Sequence, residues 1–137
     1  MKVGTILVSL AGPAMNLILA FLSFLLFAAL STWVAITGND SQLISIFTDM
    51  IFMIYSLNLG LMVFNLFPIP PLDGSKVLFA LLPNRAYRFV LTYERYGMLI
   101  LLILLVTGII YGPMSDILTF LNNGLYWAAG QIIQLFL

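Results

Sequence analysis

The sequence contains no histidine and no cysteine among its 137 residues. The absence of cysteine excludes disulfide frameworks and thiol chemistry. The absence of histidine removes the commonest metal ligand and the side chain best suited to proton transfer near neutral pH. The residue types that would complete a hydrolytic site are therefore absent, and the chain is expected to hold part of a site rather than a whole one.

Charged residues are also scarce: they make up 7% of the chain, whereas hydrophobic residues make up 63%. Soluble domains carry roughly 25% charged residues. A chain this poor in charge cannot cover a water-facing surface, so it is predicted to be an integral membrane protein surrounded by a lipid bilayer. The formal net charge is zero and no basic tract is present, which argues against nucleic acid as a partner.

Long apolar runs predict an all-α, polytopic helix bundle that forms one membrane domain over residues 1–137. The first run is too long for a single crossing, so Gly12-Pro13 is expected to divide it and Gly112-Pro113 to end the last span. The three expected transmembrane spans are residues 13–36, 43–67 and 96–111. A short helix over 75–82 and an amphipathic or re-entrant helix over 115–137 are also expected.

The basic residues predict the orientation of the spans. Lys76, Arg85, Arg88 and Arg95 lie between the second and third spans, and Lys2 precedes the first. The positive-inside rule then places the 68–95 loop in the cytoplasm and the loop at Asp40 outside.

The most informative segment is Asn65-Leu-Phe-Pro-Ile-Pro-Pro-Leu-Asp73-Gly74. Its prolines cannot lie inside a helix, so an extended stretch is expected where the second span ends. A carboxylate costs about 3 kcal/mol near the bilayer centre, which marks Asp73 as a candidate functional residue. Two interpretations remain open: Asp73 caps the helix that follows, or it is a carboxylate ligand of a metal ion.

A second segment, Gly12-Pro13-Ala14-Met15-Asn16, lies on the first span. The amide of Asn16 either bonds a neighbouring helix or contacts substrate backbone or a developing oxyanion. Asn58 and Asn65 share a helical face and are expected to bond between helices. Asn65 is the better site candidate because it directly precedes the proline break.

Together these two segments resemble motifs of the site-2 protease family, the intramembrane zinc metalloproteases, and their local sequence is similar to the compact bacterial branch. The resemblance implies location in a bacterial cell membrane and hydrolysis of peptide bonds in or near transmembrane segments of protein substrates. It implies that Asp73 is a zinc ligand and that Asn16 contacts the substrate or the oxyanion. Asn65 and Pro70, at the proline break, are predicted to bind substrate. The resemblance also implies two further zinc ligands and a general base from an upstream His-Glu-x-x-His helix.

That helix is missing, and the one glutamate, Glu94, is expected in a basic loop. The chain should therefore bind zinc and hydrolyse peptides only if the missing histidines are supplied. It is then either the C-terminal part of a protease or a truncated, non-catalytic relative that binds membrane helices. A small structural or transport subunit is a third interpretation. Water is expected to reach the site from the cytoplasm through a cavity at Pro68–Pro71.

Overall fold

The computed structural model describes residues 2–39, 41–82 and 84–136, without the side chains at 2, 3, 5, 81, 84–93 and 133–136. The described chain is helical and contains no strand, which confirms the predicted all-α class. The helices are α1 (Lys2–Thr37), α2 (Gln42–Leu66), α3 (Asp73–Leu81), α4 (Asn84–Thr107) and α5 (Tyr111–Phe136). The side chains of Lys2, Asp40, Arg85 and Arg88, used to predict orientation, lie outside the described residues.

Two of the described helices are long and apolar enough to cross a membrane: α1 over Ile6–Thr37 and α2 over Gln42–Leu66. The end of α4 and most of α5 pass the same test only as a pair, bent by 81° at the break between them. The described chain therefore has two helices that could cross a membrane, or three if the bent pair forms one span.

Helix α1 passes through Pro13 without interruption, so the prediction that Gly12-Pro13 divides the first apolar run was wrong. Proline removes a single helical hydrogen bond, here the one to the carbonyl of Ser9. Both Ser9 and Pro13 are buried, and this part of α1 packs against α3. Tertiary packing of that face stabilises the helix despite the missing bond.

The third apolar segment differs from the prediction at both ends. Residues 84–95, expected as a loop, form the first half of α4, so Glu94 lies on a helix. At the other end α4 stops at Thr107, because Gly108 adopts a positive φ of 75°. Pro113 lies in the first turn of α5, where its missing N–H has no helical acceptor to lose. The break therefore comes at Gly108 and not at Gly112-Pro113.

Two apolar clusters hold the helices together. The larger one joins α1, α2 and α5 around Phe24, Tyr55 and Ala129. Its rings stack closely, with the Phe24 and Tyr55 centroids 5.0 Å apart. The smaller one places Leu72 against Leu101 of α4 and Ile110. The C-terminal helix thus packs on the bundle, while α4 packs on the extended segment that follows α2.

Candidate functional site

Asp73 is the first residue of α3 and follows the extended segment 67–72. Leu72, with φ −71° and ψ 154°, occupies the cap position, so the interpretation of Asp73 as the helix cap was wrong. The Asp73 side chain is 35% exposed, and its Oδ1 lies 2.8 Å from Nζ of Lys76, one turn further along α3. A carboxylate in the first turn also interacts favourably with the helix dipole.

The two sequence motifs meet at Asp73. A Cβ built on Gly12 of α1 would lie 3.8 Å from Oδ2 of Asp73. One carboxylate oxygen therefore pairs with Lys76, and the other faces the Gly-Pro motif. The distance is an ordinary van der Waals contact, so Asp73 and the backbone of α1 are direct neighbours.

Asn16 lies one helical turn beyond Gly12, and residues four apart share a face of the helix. Its side chain is half-buried and has no hydrogen-bond partner among the described residues. Asn16 is thus about one helical turn from the glycine that faces the carboxylate, and its amide still has its donor and acceptor capacity. Its predicted contact with substrate stays a prediction.

Two close backbone contacts position α3. A Cβ on Gly74, the glycine of the Leu-Asp-Gly motif, would lie 2.6 Å from the carbonyl oxygen of Phe67 and would also clash with Leu66. Only a residue without a side chain lets the start of α3 fold back against the end of α2. Asp73 is therefore held beside the end of the second helix.

The second contact joins Pro70 to α4. Pro70 is fully buried, and a Cβ on Gly97 would lie 2.6 Å from its carbonyl oxygen. The Pro70-Pro71 peptide bond is cis. Gly97 was not predicted as a positioning residue, although a glycine within a predicted membrane helix is the usual signal of close backbone approach.

Asn58 and Asn65, both predicted to bond between helices, differ in their hydrogen bonding. Asn58 donates from Nδ2 to the carbonyl of Ile54 at 2.8 Å, within its own helix, so its expected interhelical bond was wrong. Asn65 is half-buried in the last turn of α2 and has no hydrogen-bond partner among the described residues. Substrate binding by Asn65 and Pro70 stays a prediction.

An apolar groove of about 330 Å³ opens beside the proline break. It lies between the end of α2 and α5, and Pro68 is the residue of the break that lines it. Asp73 is not among its lining residues, which are Met62, Val63, Leu66, Phe67, Pro68, Ile117, Phe120 and Leu121. The cavity expected at the break would lead water to the carboxylate. This groove does not.

The described residues do not form a complete metal site. They contain no group of three or more histidine, cysteine, aspartate or glutamate side chains placed to hold an ion. Asp73 offers one carboxylate, whereas catalytic zinc takes three protein ligands. Glu94 is exposed on α4. The donor set of this chain alone does not fit zinc.

Comparison with known proteins places the chain in a family. The model of peptidase family M50 matches residues 27–108, a range that includes Asp73 but not Gly12 or Asn16. "Putative zinc metalloprotease YwhC" of Bacillus subtilis is 36% identical over 110 residues, which cover 77% of this chain and 48% of that protein.

A similarly named protein of Methanocaldococcus jannaschii is 37% identical over 76 residues, which cover 52% of this chain and 31% of that protein. The chain thus spans about half the length, or less, of the curated relatives it matches. No solved structure matches it. The family match, whose range includes Asp73, and the two relatives agree with the resemblance found in the sequence, and the chain belongs to peptidase family M50, the site-2 protease family.

Proposed function

We propose that this chain is the C-terminal part of a site-2-type zinc metalloprotease that hydrolyses peptide bonds in or near transmembrane segments. The observation that carries the proposal is the meeting of Asp73 Oδ2 with Gly12. It brings the Leu-Asp-Gly motif and the Gly-Pro-x-x-Asn motif to one place, as a shared site requires. Family membership and the names of the two relatives support the same reaction class.

In this proposal the chain supplies one zinc ligand, Asp73, and one polar group beside it, Asn16. Two histidines and a glutamate come from a His-Glu-x-x-His helix outside the sequence described. That helix approaches Oδ2, the carboxylate oxygen that Lys76 does not bond. Lys76 donates a hydrogen bond to the other carboxylate oxygen, Oδ1.

The test is to co-express the chain with the His-Glu-x-x-His helix of a family member and purify the complex. Zinc content is measured by mass spectrometry, and cleavage is measured on a transmembrane substrate of that member. We expect zinc and cleavage in the complex, and loss of both with Asp73→Asn. Zinc retention and normal cleavage by the Asp73→Asn complex would contradict the assignment.

The same proposal places the chain in a bacterial cell membrane with the segment from Pro68 to Arg95 in the cytoplasm. The excess of basic residues in that segment supports this orientation. Attachment of a dye to single cysteines introduced at Asn39 and Lys76, in intact cells, tests it. Labelling of the Lys76 position from outside the cell would show the opposite orientation.

One observation favours a non-catalytic role instead. Asp73 already has a cationic partner, Lys76, which neutralises the carboxylate without a metal ion. A membrane protein that binds other helices and holds no zinc would have this arrangement. Absence of zinc from the complex with the His-Glu-x-x-His helix would favour this second function.

A further inference from the structure

A pocket of about 330 Å³ lies between α2 and α5, away from Asp73. Its walls combine apolar side chains with four polar ones, Tyr55, Ser56, Asn122 and Tyr126. A polar pocket between membrane helices is costly unless its hydrogen-bonding groups find partners. The pocket therefore needs an explanation that packing alone does not give.

The key residue in this pocket is Asn122 of α5. The Tyr55 hydroxyl donates to Asn122 Oδ1, and Tyr55 itself is only 3% exposed, so it fixes one end of the amide. The amide nitrogen has no partner among the described residues, and it is not sealed from its surroundings. If the amide is turned the other way, its oxygen is left open instead. In either orientation one end of Asn122 can bond a further polar group.

The depth of the pocket restricts what that group is. Tyr55 lies about 20 Å along α2 from Gln42 and about 17 Å from Leu66, near the middle of the candidate span. Lipid ester carbonyls lie about 15 Å from the bilayer centre, at the edges of the hydrocarbon core. A polar partner at the level of Tyr55 is therefore expected to come from another protein helix.

We propose that this pocket binds a transmembrane helix of a partner protein that carries a polar side chain near mid-bilayer. The Asn122 amide bonds the polar side chain, while Phe52, Leu59 and Leu118 contact its apolar neighbours. Ser56 forms an exposed edge of the pocket and supplies a second hydroxyl. The proposal does not depend on zinc, on Asp73 or on proteolysis.

The probe is a single-span polyleucine peptide with one central asparagine, compared with its all-leucine parent. The chain has no cysteine, so one introduced at exposed Asn39 carries a dye, and energy transfer to labelled peptide is measured in phosphatidylcholine vesicles. Peptide concentrations are kept below those at which the peptide associates with itself. We expect the asparagine peptide to bind about threefold to tenfold more tightly than the parent.

Two variants and one matched control locate the binding. Asn122→Ala should make the two peptides bind equally, whereas Asn123→Ala, at the exposed neighbouring position, should leave the difference intact. Ser56→Leu should also remove the difference by filling the pocket from its exposed edge. It keeps the bond between Tyr55 and Asn122, so it decides the question if Asn122→Ala does not fold.

Three results would overturn the proposal. The first is equal binding of both peptides to the unaltered chain. The second is an asparagine effect that survives both Asn122→Ala and Ser56→Leu. The third concerns a photoactivatable phospholipid. If it crosslinks at the pocket and the asparagine peptide does not reduce this crosslinking, lipid is the occupant. All measurements are made without added metal, so failure of the protease proposal leaves them unaffected.

Discussion

Gly97 of α4 lies directly against Pro70, which ties the extended segment after α2 to the fourth helix. Gly97 and Pro70 are 27 residues apart in sequence. Gly97 belongs to neither of the two family motifs. The contact leaves no room for a side chain, because a Cβ at Gly97 would lie 2.6 Å from the Pro70 carbonyl oxygen.

We therefore expect Gly97→Ala to lower the free energy of unfolding by about 1–3 kcal/mol, since the added methyl must displace backbone. The matched control is Gly60→Ala in α2, where a Cβ would meet nothing within 4 Å. That change should be neutral or should stabilise by up to about 1 kcal/mol through helix propensity. Unfolding in mixed detergent micelles measures both, and equal effects of the two would contradict the contact.

Gly74→Ala and Gly12→Ala form a second pair. Gly74→Ala should displace the start of α3 and with it Asp73, because a Cβ would lie 2.6 Å from the Phe67 carbonyl oxygen. Gly12→Ala adds a methyl only at 3.8 Å from Asp73 Oδ2 and should fold normally. Protease sensitivity of the segment 67–82 in micelles should rise for Gly74→Ala alone. A rise for both variants would show that Gly12 is also in steric contact.

The ion pair between Lys76 and Asp73 should contribute little to stability. Both side chains are partly exposed, at 51% and 35%, so solvent screens the attraction. We expect Lys76→Met to lower the free energy of unfolding by less than about 1 kcal/mol and Lys76→Arg to change it still less. A loss above about 2 kcal/mol in Lys76→Met, measured in the same micelles, would show that the pair is more shielded than the structure indicates.

Phe24 is expected to contribute strongly to the stability of the fold because of its burial and its ring contacts. It is 1% exposed and stacks on Tyr126 at 4.7 Å in an edge-to-face arrangement, so Phe24→Ala leaves a cavity where three helices meet. A loss of about 2–4 kcal/mol is expected. Phe120→Ala, at a residue 76% exposed, is the control and should change stability by less than about 0.5 kcal/mol. Similar losses for both would contradict the cluster.

Asn16→Ala tests the second predicted site residue. In the complex with the His-Glu-x-x-His helix we expect it to slow cleavage about 100- to 1000-fold, the range for loss of one oxyanion donor. Zinc content should stay unchanged, because Asn16 is not proposed as a ligand. Loss of zinc together with activity would instead assign Asn16 to the metal or to folding.

Much of the architecture follows from local sequence. The α2 helix and the proline break after it were predicted almost to the residue, because apolar length and proline chemistry act over short distances. The ends of α4 were not predicted correctly. Polar residues from Asn84 onward suit both a loop and a helix, and Gly108 is one of several glycines that could end the helix. Propensity alone does not decide between them.

The contacts between distant segments were beyond local inference. Asp73 was singled out as a candidate site residue from its position, but its approach to Gly12 depends on how α3 folds back against α2. Asn122 was not predicted as a residue of any site. Only packing of α5 on α2 shows that Asn122 is the residue that meets Tyr55.

Two contacts fix the start of α3. Gly74 lies against the end of α2, and Pro70, in the segment that leads into α3, lies against Gly97 of α4. A nine-residue helix fixed in this way cannot tilt or slide unless two longer helices move with it. The position of Asp73 is thus fixed relative to α2 and α4. Any rearrangement that admits a bulky partner is expected in α5, which is joined to α4 through the flexible glycine at 108 and leaves an open groove against α2.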